Sequence, residues 1–193
     1  MTPSILIAGI GNIFLGDDGF GVAVAQRLAK RPLPEGVRVG DFGIRGLDLV
    51  YALLDPYDAV ILVDIVVRGE PPGTLYLIEP EVETGGAVSL EAHGMDPVKV
   101  LALARTMGAP PTRTFLVACE PDRVMSGEPE EDVMVELSAP VRAAVDGAIE
   151  MVESLVADIK GAAEQKEKDD EGGKNDSVRI DGGRGAFDDQ AVA

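Results

Sequence analysis

Short, nearly continuous apolar runs alternate along this chain with stretches in which apolar residues recur every three or four positions. That alternation is the signature of a layered α/β fold. SILIAGI (4–10) reads as a strand buried on both faces, because neither face carries a polar series. A glycine-rich turn follows, and from Gly19 the positions Val22, Ala25, Leu28 and Ala29 recur at helical spacing until Pro32 and Pro34 end the helix. VRVGDF supplies a second strand, LDLVYALL a shorter helix, and DAVILVDIV (58–66) a third strand, the most hydrophobic of the chain and so expected at the sheet centre. The link from there to TLYLIEP (74–80) is little more than VRGEPPG, whereas a parallel crossover needs about a dozen residues or more, so the fourth strand is expected to run antiparallel. Asp96 and Pro97 read as the N-cap and first turn of a helix over DPVKVLALARTM, stopped by Gly108 and two prolines. TRTFLVACE (112–120) is a fifth strand. Ser138 and Pro140 then open a last helix, with an apolar stripe at Val141, Val145, Ile149, Val152 and Val156.

Composition narrows the class. With 193 residues, 46% of them hydrophobic and 26% charged, the chain has enough apolar material for one globular core. A net charge of −17 argues against a nucleic-acid surface, which needs Lys and Arg to neutralise phosphates. No apolar run approaches the ~20 residues that span a bilayer, and MTPS lacks the basic start of a secretory signal, so a cytoplasmic protein with no membrane partner is expected. One cysteine, Cys119, allows no intrachain disulfide. Acids outnumber bases throughout, but residues 161–193 are also glycine-rich and nearly devoid of large apolar groups. Such a segment cannot bury enough apolar surface to offset its ordering entropy. The expected organisation is a folded domain over 1–160 and a disordered acidic tail over 161–193.

Candidate chemistry collects at strand ends. In open α/β sheets, sites form outside the carboxyl ends of the parallel strands. Asp18 follows the first strand, Asp64 ends the third, Cys119 and Glu120 end the fifth, and His93, the one histidine, precedes a helix that can begin at the same rim. Two carboxylates and an imidazole suit a borderline divalent ion such as nickel or zinc and leave positions open for substrate. A lone histidine is more often a surface or structural residue than a ligand. Asp64 is harder to assign to a bland role, since burying a carboxylate after an apolar run is costly unless something pairs with it. Asp17 and Asp18 could both simply cap the helix that starts near Gly19, where the helix dipole favours negative charge, and capping is expected to be the whole role of Asp17. Cys119 is expected to be a small buried hydrophobe outside the site. A dinucleotide site is disfavoured: Gly9-x-Gly11 lacks the third glycine of the fingerprint, and two acids lie where a pyrophosphate needs positive potential.

Gly9-x-Gly11-Asn12-x-x-x-x-Asp17-Asp18-Gly19-x-Gly21, with an acid closing the third strand and a histidine before the next helix, resembles the hydrogenase maturation proteases. These endopeptidases trim the C-terminus of the nickel-iron hydrogenase large subunit. The resemblance runs from about residue 4 to 158 and takes in Asp41-x-Gly43-x-x-Gly46 and Pro121. It implies a three-layer α/β/α domain with a five-stranded mixed, mainly parallel sheet. It also implies a nickel-binding, catalytic triad of Asp18, Asp64 and His93, with nickel brought by the large-subunit precursor and an enzyme acting after nickel insertion; the sequence does not fix the oligomeric state, a monomer being favoured. The chain departs from the family pattern twice. Asp18 stands where Glu also occurs and reaches about one carbon–carbon bond less far. Ile44 stands in Gly43-Ile44-Arg45-Gly46 where many members carry a hydroxyl. No HExxH and no recognised Ser or Cys nucleophile motif accompanies His93, so an aspartic-type or metal-assisted hydrolysis without a covalent intermediate is expected. The alternatives are a non-catalytic nickel-site checkpoint or chaperone that binds the large subunit, and a generic nucleotide-binding domain, which the failed glycine pattern disfavours.

Overall fold

The computed structural model describes residues 2–80, 97–110, 112–125 and 133–175, with side chains to 168. Strands β1 (Ile5–Ile10), β2 (Val37–Gly43), β3 (Ala59–Ile65), β4 (Leu75–Ile78) and β5 (Arg113–Cys119) form one sheet in the order β2-β1-β3-β5-β4. β1 runs parallel to β2 and β3, and β3 parallel to β5. β4 alone is antiparallel, pairing Leu75 with Cys119 and Ile78 with Leu116. The short β3–β4 link has this outcome: β4 comes back along the outer edge of β5 without a crossover. β3 lies at the sheet centre, as its composition predicts.

Helices α1 (Phe20–Leu28), α2 (Gly46–Ala52), α3 (Pro97–Thr106) and α4 (Ala139–Asn175) supply the outer layers. On one face Ile5, Ile7, Ile61, Val63 and Val117 pack against Phe20, Val24 and Leu28 of α1 and against the stripe Val141, Val145, Ile149, Val152 and Val156 of α4. On the other, Leu6, Ala8, Ile10, Val60 and Leu62 meet Leu49 and Val50 of α2 and Val100, Leu101 and Ala104 of α3. Covering on both faces is why β1 and β3 are apolar without alternation. Each such side chain, fully buried, contributes about 1.5–3 kcal/mol, and every residue of β1 is buried.

Two glycines set how closely α1 lies on the sheet. A Cβ on Gly21 would overlap the carbonyl oxygens of Val63 and Ile10, and one on Gly9 would overlap the carbonyl oxygen of Gly21. The start of α1 therefore rests directly on the backbone of β1 and β3.

The chain differs from expectation after residue 160, since α4 continues to Asn175 instead of giving way to an unstructured segment. The packed core does end there. Ile159 is the last core residue, Lys160 Nζ donates to the Glu35 carbonyl at 2.7 Å, and residues 161–168 are exposed apart from half-buried Ala163. Ala, Glu, Gln and Lys over residues 162–168 are strong helix formers, so local propensity accounts for that part of the extension without burial. The rest of the predicted tail, 176–193, lies outside the described residues. Among the described residues no helix is long and apolar enough to cross a membrane.

Candidate active site

The turn after β1 is built to present Asp18. Gly11 adopts φ +120°, and a Cβ there would collide with the Asp18 carbonyl, so no other residue fits without strain. Its N–H donates to the Gly43 carbonyl at 3.1 Å, tying this turn to the end of β2. Asn12 Oδ1 accepts the Phe14 N–H at 3.0 Å, and a single 3-10 turn over Gly16–Gly19 leads into α1. That turn packs against β3. The crossover from β1 leaves toward β2, whereas the chain beyond β3 serves β5 and β4 on the other side. The sheet's switch point thus lies between β1 and β3, where the diverging connections open a crevice. Asp18 and Asp64 belong to that edge.

Asp18 is half-buried, and its Oδ2 accepts the Asn12 N–H at 2.6 Å. Burial raises its pKa above the ordinary 3.8, against the opposing pull of that N–H. Asp64 is 7% exposed, opposite Ala118 of β5, and its Oδ1 accepts the Ile65 N–H at 2.8 Å. By alternation it continues the series Val60, Leu62 on the α2/α3 face. The third expected ligand, His93, lies outside the described residues. Among the described residues no three His, Cys, Asp or Glu side chains gather as a metal-holding set.

The acids beside these two have structural partners. Asp17 does not cap α1, contrary to expectation; neither the 3-10 turn nor α1 has a side-chain cap. Its carboxylate turns toward the loop after β5 and the start of α4, where it accepts the N–H groups of Asp122 at 2.9 Å and Ser138 at 2.7 Å, and a longer bond from Arg123 at 3.4 Å. Orphan N–H donors from two elements outweigh a cap that α1 can do without. Cys119 is fully buried, as expected, and burial, with the nearby charge of Asp17, pushes its thiol up to about 12. It stays protonated at neutral pH and supplies no nucleophile.

Glu120 has a role its position did not announce. Its carboxylate accepts the Arg68 N–H (2.9 and 3.0 Å), the Gly69 N–H (2.9 Å) and the Tyr76 hydroxyl (2.7 Å). The Tyr76 hydroxyl first, then the backbone donors, hold Glu120 below the usual carboxylate range, and burial with the bond to Glu120 pushes Tyr76 up to about 12. The Arg68 guanidinium stacks 5.1 Å from the centre of the Tyr76 ring. Glu120 therefore pins the loop that follows Asp64. A strand-end acid after an apolar run was the available signal, the same one that marks Asp64. Because the folded state depresses its pKa, Glu120 stabilises the fold above about pH 4.5 and loses that contribution as pH falls through the lower folded value. Urea titrations are expected to show Glu120→Gln less stable than the parent at neutral pH, with the gap closing in acid. A gap independent of pH would refute this.

Between the turn at 11–14 and the turn after β2 runs a cleft of about 220 Å³, lined by Ile13, Phe14, Val22, Phe42 and Ile44 with Gln26, Asp41 and Arg45. Gln26 Nε2 donates to Asp41 Oδ2 at 3.0 Å, and the Arg45 guanidinium donates to the Asp41 carbonyl and sits 3.4 Å from Asp48. Phe14 and Ile44 are more than half exposed on its rim. Ile44 adds apolar surface there. A wider hollow of about 430 Å³ around Arg38, Asp55 and Tyr57 lies at the opposite, amino-terminal edge of the strands, away from both acids.

Known proteins share this architecture. A family model described as hydrogenase maturation protease matches residues 22–155. The hydrogenase expression/formation protein HoxM of Azotobacter vinelandii is 35% identical over 173 residues, covering 88% of this chain and 80% of that protein. HupM of Azotobacter chroococcum, of the same description, is 36% identical over 173 residues, covering 88% and 79%. Among solved structures, the hydrogenase maturating endopeptidase HybD from E. coli matches with a TM-score of 0.64 at 27% identity, covering 80% of this chain and 93% of that one. With the mixed sheet, its single antiparallel edge strand and the flanking helices in common, the chain belongs to the hydrogenase maturation protease family.

Proposed function

We propose that this chain is an endopeptidase that removes the C-terminal extension of a nickel-iron hydrogenase large-subunit precursor once nickel has been inserted. Family membership supports hydrolysis and this kind of partner. The reading is supported by the placement of Asp18, on a turn that packs against β3, and of Asp64, near the carboxyl end of β3, at the switch point of the sheet.

Asp18, Asp64 and His93 would hold the precursor's nickel. Two carboxylates and one imidazole form a donor set for a borderline ion that is complete only when the substrate adds ligands. Burial that disfavours a charged Asp18 fits a cation, whose field reverses that penalty. Bound there, nickel would supply a metal-loading check and polarisation of the scissile region. The protein's own groups do the rest. The cleft takes an extended segment of the precursor against Ile13, Phe14 and Ile44, and the Glu120 anchor keeps the loop after Asp64 in place. With Cys119 buried and protonated, attack by water without a covalent intermediate is the consistent route.

The test is incubation of the purified chain with nickel-loaded and nickel-free precursor, read by intact mass. Loss of the extension from the loaded form alone supports the proposal. Equal cleavage of both forms refutes nickel dependence, and tight binding of the loaded form with no cleavage favours the checkpoint reading instead.

A further inference from the structure

We infer that Asp17 is a positioning residue: its buried carboxylate fixes the turn that presents Asp18, by binding backbone N–H groups from two distant elements. The inference rests on the proposed role of Asp18.

Asp17 is 3% exposed and the adjacent Asp18 is half-buried, so consecutive acids on one 3-10 turn point to different environments. The two oxygens of Asp17 divide their work. Oδ1 accepts the Ser138 N–H at 2.7 Å, at the entry to α4, and Oδ2 accepts the Asp122 N–H at 2.9 Å and the Arg123 N–H at 3.4 Å, just beyond β5. Backbone bonds reinforce this side of the turn. Gly16 N–H donates to the Met134 carbonyl, and Met134 N–H to the Phe14 carbonyl at 3.1 Å. The turn is thus clamped to α4 and the β5 exit on one flank. On the other, Asp18 Oδ2 takes the Asn12 N–H at 2.6 Å and the Asp18 carbonyl abuts Gly11. With residues 17 and 18 sharing a peptide unit, rotation that frees the first carboxylate must move the second.

Asparagine at position 17 keeps the shape but replaces one accepting oxygen with a donor, so it can satisfy only one of the two elements. In Asp17→Asn the Asn12 amide proton is expected to move upfield as its bond to Asp18 lengthens. Precursor processing should lose ~10- to 100-fold in kcat with KM within about twofold, since Asp17 touches no substrate and a small misplacement suffices. Protected core amides such as those of β3 report whether the variant is folded. A native Asn12 resonance in folded Asp17→Asn, or an unchanged kcat, overturns the inference.

Should Asp17→Asn fail to fold, hydrogen exchange in the wild-type chain decides. The Asn12, Asp122 and Ser138 amides should open together, as one unit. Independent opening of Asn12 overturns the inference. A wild-type chain that cleaves no precursor sinks the proposed function, while the Asn12 resonance and exchange data still decide the clamp.

Discussion

Replacing Asp18 with asparagine is expected to lower precursor processing at least ~100-fold while the unfolding midpoint at neutral pH stays level or rises. The two effects separate because the carboxylate is held where its charge is disfavoured. Asparagine keeps an oxygen for the Asn12 N–H, so the turn retains its bond, and it removes the charge that burial penalises. The sign follows from linkage. A raised folded pKa means that the native state binds the proton more tightly than the unfolded chain, so ionised Asp18 weakens the fold above that pKa, and below about pH 3.8 both states are protonated and the difference disappears. Calorimetry across pH should therefore show any advantage of Asp18→Asn at neutral pH vanishing in acid. Stability held in reserve against function is common at active sites. Processing near the wild-type rate in Asp18→Asn would remove Asp18 from the site altogether.

A single methyl group on Gly21 should be more damaging to the fold than any change at the acids. In an open helix, alanine for glycine gains roughly 0.5–1 kcal/mol. Here the sign inverts, because the new Cβ meets the carbonyl oxygens of Val63 and Ile10 and lies 2.8 Å from Ile10 N. Those atoms belong to the backbone of the two most buried strands, which cannot give way as a side chain can. Gly21→Ala is expected to cost at least ~3 kcal/mol, at the upper end of overpacking penalties. The measure is a lower urea midpoint at unchanged slope. Gly161→Ala, with no atom within 4 Å of the added Cβ, is the matched control and should be neutral or slightly stabilising. Equal behaviour of the two variants would mean that α1 does not rest on the strands as described.

The legible parts of the fold were those in which one physical cause dominates. DAVILVDIV has too many apolar residues for any place but the centre, and β3 is there. The short link before Leu75 left β4 no parallel option. The α4 stripe from Val141 to Val156 is buried in full. Less legible were features set by competition between neighbours. Asp17 was equally suited to capping α1, and only the folded position of Asp122 and Ser138 decides for the clamp. Glu120 gave the same signal as Asp64, an acid after an apolar strand, yet its partners come from a loop and from Tyr76, and no pattern along the chain reports them. Residues 161–175 offered no apolar face, which speaks to packing and not to helicity, and the helix continues. The placement of Asp18 and Asp64 at the carboxyl edge of the sheet was legible because one follows β1 and the other lies near the end of β3.

The late arrival of α4 bears on how the protein is made. Ile5, Ile7, Ile61 and Val63 are synthesised early, and the stripe that covers their face comes from Val141 onward. On a growing chain that sheet face stays bare on the α4 side until nearly the whole domain has left the ribosome. Exposed apolar sheet of this kind invites association between nascent chains. The interval between the emergence of β3 and that of Ile159 is therefore the period of greatest exposure, one that slower translation widens and that a chaperone able to hold unfinished chains would cover.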